Sequence, residues 1–380
     1  MKVAIVGYSC LPLSKDIEMT REESVFISTK SALKSVGLER NEIDTVISAS
    51  SDFFDGRTIS NCMLIDALGA YLKDESKSEG DGLLAVIYAM QRILSGTHKT
   101  ALVTAHTHSS IFNPHQVSVY MLDPLFDRHN EFLNDVTIAA LQANSYMRRY
   151  GISEEDLARV SYKNLRTASK NSIAYTKMPD VDVEEILCSK MYAQPLRELM
   201  IAPCCDGVAS VVLASEDVAY EIVDEPVWIE GVGIAIDNYF RDRDLFRLNS
   251  LQKASKMAFK MANISNPYNQ IDFAEVTERF SHQELMIYEG IGIAREGKGV
   301  NLLNKDVTWT DGDFPVNPSG GALGSGDAIC ATGLYRLVEA VKQIRDEADN
   351  QISGAKTALV HSQWGLAAQM NIILIIRGET

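Results

Sequence analysis

Two glycine-bearing turns, each running into an apolar helix, occupy corresponding places in the two halves of this 380-residue chain. The first is Gly80-Asp81-Gly82 ahead of Leu83 to Leu94, and the second is Gly320 to Gly333 ahead of Leu334 to Ile344. Helices this apolar are covered on most sides, so a chain with two of them needs sheets to enclose both. The surrounding elements repeat as well. Val3 to Val6 reads as a buried strand, Thr20 to Val36 as a helix stopped by Gly37, and Asp44 to Ala49 as a second strand. After Pro226, Val227 to Ile234, Leu251 to Met261 and Phe273 to Val276 give strand, helix and strand again. The reading is an α/β chain of two similar halves, 1–220 with a loop insertion and 221–380. Ser153-Glu154-Glu155-Asp156 opens a further helix with a cap and an acidic first turn, and Thr357 to Val360 and Met370 to Ile376 close the chain as a strand pair.

Composition narrows the function. A hydrophobic fraction of 46% supports a large core, and a net charge of −15 argues against a nucleic-acid partner. The six cysteines form no C-x-x-C pair, and His106-Thr107-His108 lacks a third ligand, so no metal is expected. The opening residues lack the features of a secretory signal, and the apolar run Ile372 to Ile376 is far short of a membrane span. A soluble, cytoplasmic protein is expected.

The most unusual local sequence is Asn317-Pro318-Ser319-Gly320-Gly321-Ala322-Leu323-Gly324-Ser325-Gly326-Asp327. Its glycines permit close backbone approach, so its amides either surround an anion or form a tight buried crossover. Neither a Walker A spacing nor a dinucleotide fingerprint is present. His361, between the last two strands, reads as a loop histidine suited to a polar site, to tethering the hairpin or to solvent.

Arg166 to Asn171, Pro195-Leu196, Asp206-Gly207 and the run Pro315 to Gly321 through Ala331-Thr332-Gly333 together resemble the thiolase superfamily, especially its archaeal and lipid-transfer-type members. The resemblance spans nearly the whole chain. It implies a duplicated, five-layered α-β-α-β-α fold, a homodimer or higher oligomer, and a coenzyme A thioester as ligand without a permanently bound cofactor. It places Asn317, Ser319, Gly320, Gly321 and Gly326 in the ligand-binding scaffold.

The positions matching the family's catalytic groups depart from its pattern. Ser78 stands at or within one residue of the nucleophilic cysteine, Thr277 in place of a histidine, and Asp327 in place of the histidine of the glycine-histidine-proline signature. A serine hydroxyl is a weak nucleophile without a strong base, and neither threonine nor carboxylate replaces an imidazole in proton transfer. A carboxylate beside a developing oxyanion repels it unless protonated or paired. Ser78, Thr277, Asp327 and His361 are therefore the candidate site of a divergent acyl-CoA-binding protein, an acyltransferase by family that lacks ordinary Claisen condensation. Two alternatives stand beside it. One is an acyl-CoA retro-aldolase using Asp327, His361 and Tyr239; the other is a non-catalytic scaffold subunit of an acyl-transfer assembly, beside a zinc-bearing bridging protein and a hydroxymethylglutaryl-CoA synthase-like partner.

Overall fold

The computed structural model describes residues 2–379. Nine strands form one sheet: β1 (Val3–Cys10), β2 (Thr45–Ser50), β3 (Asp74–Glu79), β4 (Thr100–Thr107), β5 (Gly207–Ser215), β6 (Val227–Ile236), β7 (Phe273–Val276), β8 (Thr357–Trp364) and β9 (Met370–Arg377). Their order is β3-β2-β4-β5-β1-β6-β9-β8-β7. In the first half β3, β2 and β4 run parallel, and β5 and β1 follow antiparallel. From the opposite edge the second half gives the same series: Val316 bridges parallel to Ala274 of β7, β7 is parallel to β8, and β9 and β6 follow antiparallel. The halves meet where β1 pairs with β6 through Ala4 with Trp228 and Ile5 with Val227.

Eight helices matter for the site: α1 (Arg21–Lys34), α2 (Asp52–Asp55), α3 (Gly82–Leu94), α4 (Asp135–Tyr150), α5 (Glu154–Ala168), α6 (Asn249–Met261), α7 (Ser281–Gly290) and α8 (Thr332–Ile344). The side-chain alternation of each strand decides which helix it covers. Val3 and Ile5 of β1 pack with α3 and α8, whereas Ala4 and Val6 pack with α1. Ile372, Leu374 and Ile376 of β9 likewise join the α3–α8 core, and Ile373 and Ile375 face α6. Both echoed helices thus share one core, as their apolar composition requires. Where their N-termini meet, a Cβ on Gly82 would lie 2.6 Å from Leu334 Cγ, so only glycine fits.

The capping expectation at Ser153 holds, its Oγ accepting the Asp156 amide at 3.1 Å. The structure adds a reciprocal box of Thr20 and Glu23 that starts α1. One placement is corrected, that of His361. Ser78, ahead of the glycine turn, lies in β3, an all-polar strand whose side chains find partners: Arg92 reaches Asp74 at 2.6 Å and Ser76 at 2.6 Å, and Ser48 and Asn61 donate to Glu75. His361 lies not in a loop but inside β8, which continues to Trp364; His361 and Gln363 are buried, and their side chains are bonded to neighbouring elements.

Candidate active site

The C-terminal ends of the strands and the loops beyond them enclose a cavity of about 40 Å³ that includes Phe54, His115, Asp135, Cys204, Arg279, Asp327, Ile329, Gly365 and Leu366. It holds two charged pairs.

His115 and Asp135 form the first. Asn113 caps the turn Pro114–Val117, accepting the amides of His115 at 3.1 Å and Gln116 at 3.3 Å. Asp135 opens α4 and is fixed by Ser118, whose hydroxyl donates to Oδ1 at 3.1 Å and accepts the Asp135 amide at 3.0 Å. His115 Nδ1 lies 3.0 Å from both carboxylate oxygens. Nδ1–H therefore donates to Asp135, and in the neutral ring Nε2 is the basic nitrogen. Burial pulls the His115 pKa down, but the bonded Asp135 carboxylate outweighs it and the net shift is upward. Burial acts the other way on Asp135, and His115 overcomes it to hold that carboxyl below its ordinary range.

The second pair is Arg279 Nε with Asp327 Oδ2 at 3.0 Å. Asp327 Oδ1 also accepts the Ile329 amide at 3.0 Å and the Thr332 hydroxyl at 2.7 Å, which fixes its carboxylate plane. Arg279 Nη2 donates to Ile329 O at 3.3 Å, and its guanidinium lies 5.8 Å from the Trp364 ring centroid. The repulsion expected between a bare Asp327 and an oxyanion is thereby neutralised.

Of the four residues expected to form the site, only Asp327 lines this cavity. Ser78 sits in β3, opposite Ala49. Thr277 is buried behind the wall, its amide donating to His361 O at 3.1 Å and its carbonyl accepting Gln363 Nε2 at 2.9 Å. His361 shares with Leu359 the buried face of β8 opposite the α3–α8 core; its Nε2 is 2.9 Å from Asn371 Oδ1, and burial lowers its pKa to about 4. The Tyr239 hydroxyl accepts the Asp123 amide at 3.1 Å, and its ring packs on Phe240 in a separate cluster.

The glycine-rich segment points its donors inward. Ser319 gives its amide and hydroxyl to Glu275 at 3.0 and 2.7 Å, Leu323 gives its amide to Glu278 at 3.0 Å, and Asn317 Nδ2 donates to Glu278 and Glu284 at 2.8 and 3.0 Å. Buried carboxylates occupy the amides that an external anion would have taken. Gly320 and Gly321 let the backbone press on Ala168 and Glu278, and Gly326 presses on Cys205. Arg336 at 3.0 Å from Glu275 and Lys163 at 2.5 Å from Glu284 supply the compensating charge.

Reasoning from the sequence missed His115, Asp135 and Arg279. Arg279 stands two residues after Thr277 in the segment already singled out, but the histidine and its carboxylate are 20 residues apart with no motif between them. Cys204 also lines the cavity, yet burial and the carboxylates of Asp327 and Asp135 push its thiol well above the ordinary range. A protonated thiol beside two carboxylates is not a relocated nucleophile. Among the described residues no group of three or more His, Cys, Asp or Glu is placed to hold a metal, and no helix is long and apolar enough to cross a membrane.

Residues 231–377 match the family described as thiolase C-terminal domain-like. The chain is 28% identical over 372 residues to acetyl-CoA acetyltransferase of Methanothermobacter thermautotrophicus, covering 96% of each. It is 31% identical over 224 residues to human sterol carrier protein 2, which covers 57% of this chain and 41% of that protein. Among solved structures, the Ltp2-ChsH2(DUF35) aldolase superposes with a TM-score of 0.84 at 21% identity, covering 98% of this chain and 97% of that one. A monomeric SCP2-thiolase like protein of Mycobacterium smegmatis gives a TM-score of 0.74 at 18% identity, with 99% and 77% covered. The chain carries the α/β fold of the thiolases, and along nearly its whole length its sequence is similar to the archaeal acetyl-CoA acetyltransferases.

Proposed function

We propose that this protein cleaves a carbon–carbon bond in β-hydroxyacyl-coenzyme A thioesters by a retro-aldol reaction, with His115 as the base and Arg279 as the electrostatic partner of the thioester oxygen. The observation that carries this reading is the presence in one cavity of an Asp135-oriented imidazole and a charge-neutralised arginine, with no competent thiol. His115 Nε2 takes the β-hydroxyl proton, the Cα–Cβ bond breaks, and its electron pair passes to Cα as a thioester enolate. The β-carbon leaves as an aldehyde or ketone. Arg279 donates a guanidinium N–H to the enolate oxygen while Asp327 orients the guanidinium. His115 returns its proton to Cα, giving the shortened acyl thioester. No covalent intermediate forms, so the serine at 78 and the threonine at 277 are no obstacle.

The likeness to an aldolase of two named components supports the reading at the level of fold, and the acetyltransferase relative supports a coenzyme A thioester as substrate. We read the matched strand series as the duplicated, five-layered arrangement divided near residue 220, and retain a homo-oligomer and a bridging partner protein as part of the proposal. The second reading, a non-catalytic subunit, is favoured by Trp364, whose ring lies 3.3 Å from where a Gly80 Cβ would stand and covers the turn before α3.

Incubation with a panel of β-hydroxyacyl-CoA thioesters and trapping of the released carbonyl compound tests the choice. Wild-type protein is expected to release it and His115→Ala to release almost none. Absence of carbonyl product from protein that binds acetyl-CoA by calorimetry would leave the non-catalytic subunit as the better reading.

A further inference from the structure

A line of buried amides joins two walls of the cavity. One wall is the turn after β8, where Gly365 and Leu366 face the cavity and Ala367 and Ala368 follow with φ of +52° and +57°. Two successive L-residues in the left-handed region are strained, so the turn needs external support. Its carbonyls receive that support in sequence. Arg243 Nη2 donates to Leu366 O at 3.0 Å and Ala367 O at 2.8 Å, Gln142 Nε2 to Ala367 O at 3.0 Å, and Asn371 Nδ2 to Ala368 O at 2.9 Å.

The other wall is Arg279, and the amides lead to it. Gln142 Oε1 accepts Gln283 Nε2 at 3.1 Å, and Gln283 Oε1 accepts the Arg279 backbone amide at 3.2 Å and Gln363 Nε2 at 2.8 Å. The three glutamines are at most 2% exposed. An amide accepts only through oxygen and donates only through nitrogen, so the line has a direction. Reversing one glutamine sets two donors or two acceptors face to face in a buried site.

We propose that Gln142 and Gln283, with Arg243 behind the turn, are positioning residues that set the separation between Arg279 and the Gly365–Gln369 turn, and with it the gap that receives the thioester. The proposal rests on reading this cavity as the reacting site. Trp364 reports on it independently of turnover, because its ring begins the turn and neighbours the Arg279 guanidinium.

The test is made in full-length protein carrying Trp228→Phe and Trp309→Phe, so that Trp364 is the single tryptophan and can be excited apart from the tyrosines. Gln142→Leu, Gln283→Leu and their combination are compared with Gln343→Leu, a buried amide elsewhere that donates to Asn350 O at 2.7 Å. Gln142→Glu keeps the volume while setting a carboxylate against Ala367 O, and serves where the leucine variant does not fold. Acrylamide quenching of Trp364 is expected to rise about twofold in the Gln142 and Gln283 variants and to stay unchanged in Gln343→Leu. In carbonyl release, kcat is expected to fall about tenfold or more with KM nearly constant, since small misplacements of reacting groups cost up to about 100-fold. The double variant should be no worse than the poorer single one, because either change breaks the same line. Unchanged quenching in folded Gln142 variants, or additive losses in the double variant, would overturn the proposal. A wild-type protein without carbonyl release sinks the lyase reading alone, and the quenching comparison still decides the positioning role.

Discussion

Asp81 accepts the amide hydrogen of Gly333 at 3.1 Å, across 252 residues of chain, while its other carboxylate oxygen accepts that of Leu83 at 2.8 Å. One fully buried carboxylate thus closes the first turns of α3 and α8 together. Asp81→Ala strands both donors and is expected to cost about 2–4 kcal/mol. Asp81→Asn, which offers an NH2 to one of them, should cost about 1–2 kcal/mol. Urea unfolding followed by circular dichroism measures both, and a loss no larger than that of an exposed cap would contradict the bridging role.

The same carboxylate makes stability pH-dependent. Burial raises its pKa from 3.8 to about 6. The folded protein therefore holds a proton that the unfolded chain has already released. Asp81 favours the fold most below its ordinary pKa, and that contribution declines as pH rises through about 6. Wild-type urea midpoints should fall relative to Asp81→Asn between pH 4 and 7, by the equivalent of about 1–3 kcal/mol. Parallel profiles for the two proteins would contradict the assignment.

His115→Ala should lower carbonyl release by about 100- to 10,000-fold without loss of the folded circular-dichroism spectrum. The base acts deprotonated, so the raised His115 pKa places the acid limb of the rate profile above that of a free imidazole. Asp135→Asn removes the main raising influence and should move that limb to lower pH while reducing the maximal rate. An acid limb that stays in place in Asp135→Asn assigns it to another group.

Ser78→Cys should not create thiolase turnover. The new thiol would stand in β3, away from the cavity that holds Arg279 and Asp327, with no histidine at 277. Thiolysis of acetoacetyl-CoA followed by loss of substrate absorbance is the check, and rates well above wild type would refute the placement.

Gly82→Ala and Gly96→Ala separate close packing from backbone strain. A methyl at Gly82 would meet Leu334 at 2.6 Å and Ala105 at 3.0 Å, whereas Gly96 has φ of +80° and nothing near. The expected losses are about 1–3 kcal/mol for the first and about 1 kcal/mol for the second. Comparable melting temperatures for the two variants would contradict this order.

The elements legible in the sequence are those whose own residues suffice to specify them. Val3 to Val6 announces a buried strand, and Ser153 with Asp156 announces a helix start, because apolar density and cap chemistry are local. Asp74 to Glu79 gives no such sign: its strand exists through its register with β2 and through Arg92, Asn61 and Asp52 reached across the fold. His361 and Gln363 looked like loop residues for the same reason, since the partners that allow them inside a sheet lie on β9 and α7. The glycine-rich segment was legible as a place of close approach, but not what approaches it, because Glu275 and Glu278 become its acceptors only after folding. The His115–Asp135 pair is likewise a product of the loop's path. Asp327 was the one site residue that both the sequence pattern and the cavity share.

The core shared by α3 and α8 bears on how this protein comes apart. The first half alone would expose the face of α3 that rests on Leu334, and the second would expose the face of α8 that rests on Gly82. Neither half is then a unit of stability in its own right. A protease cut near residue 220 should leave a nicked molecule that melts in one transition, while the two pieces expressed apart should be insoluble until they are mixed.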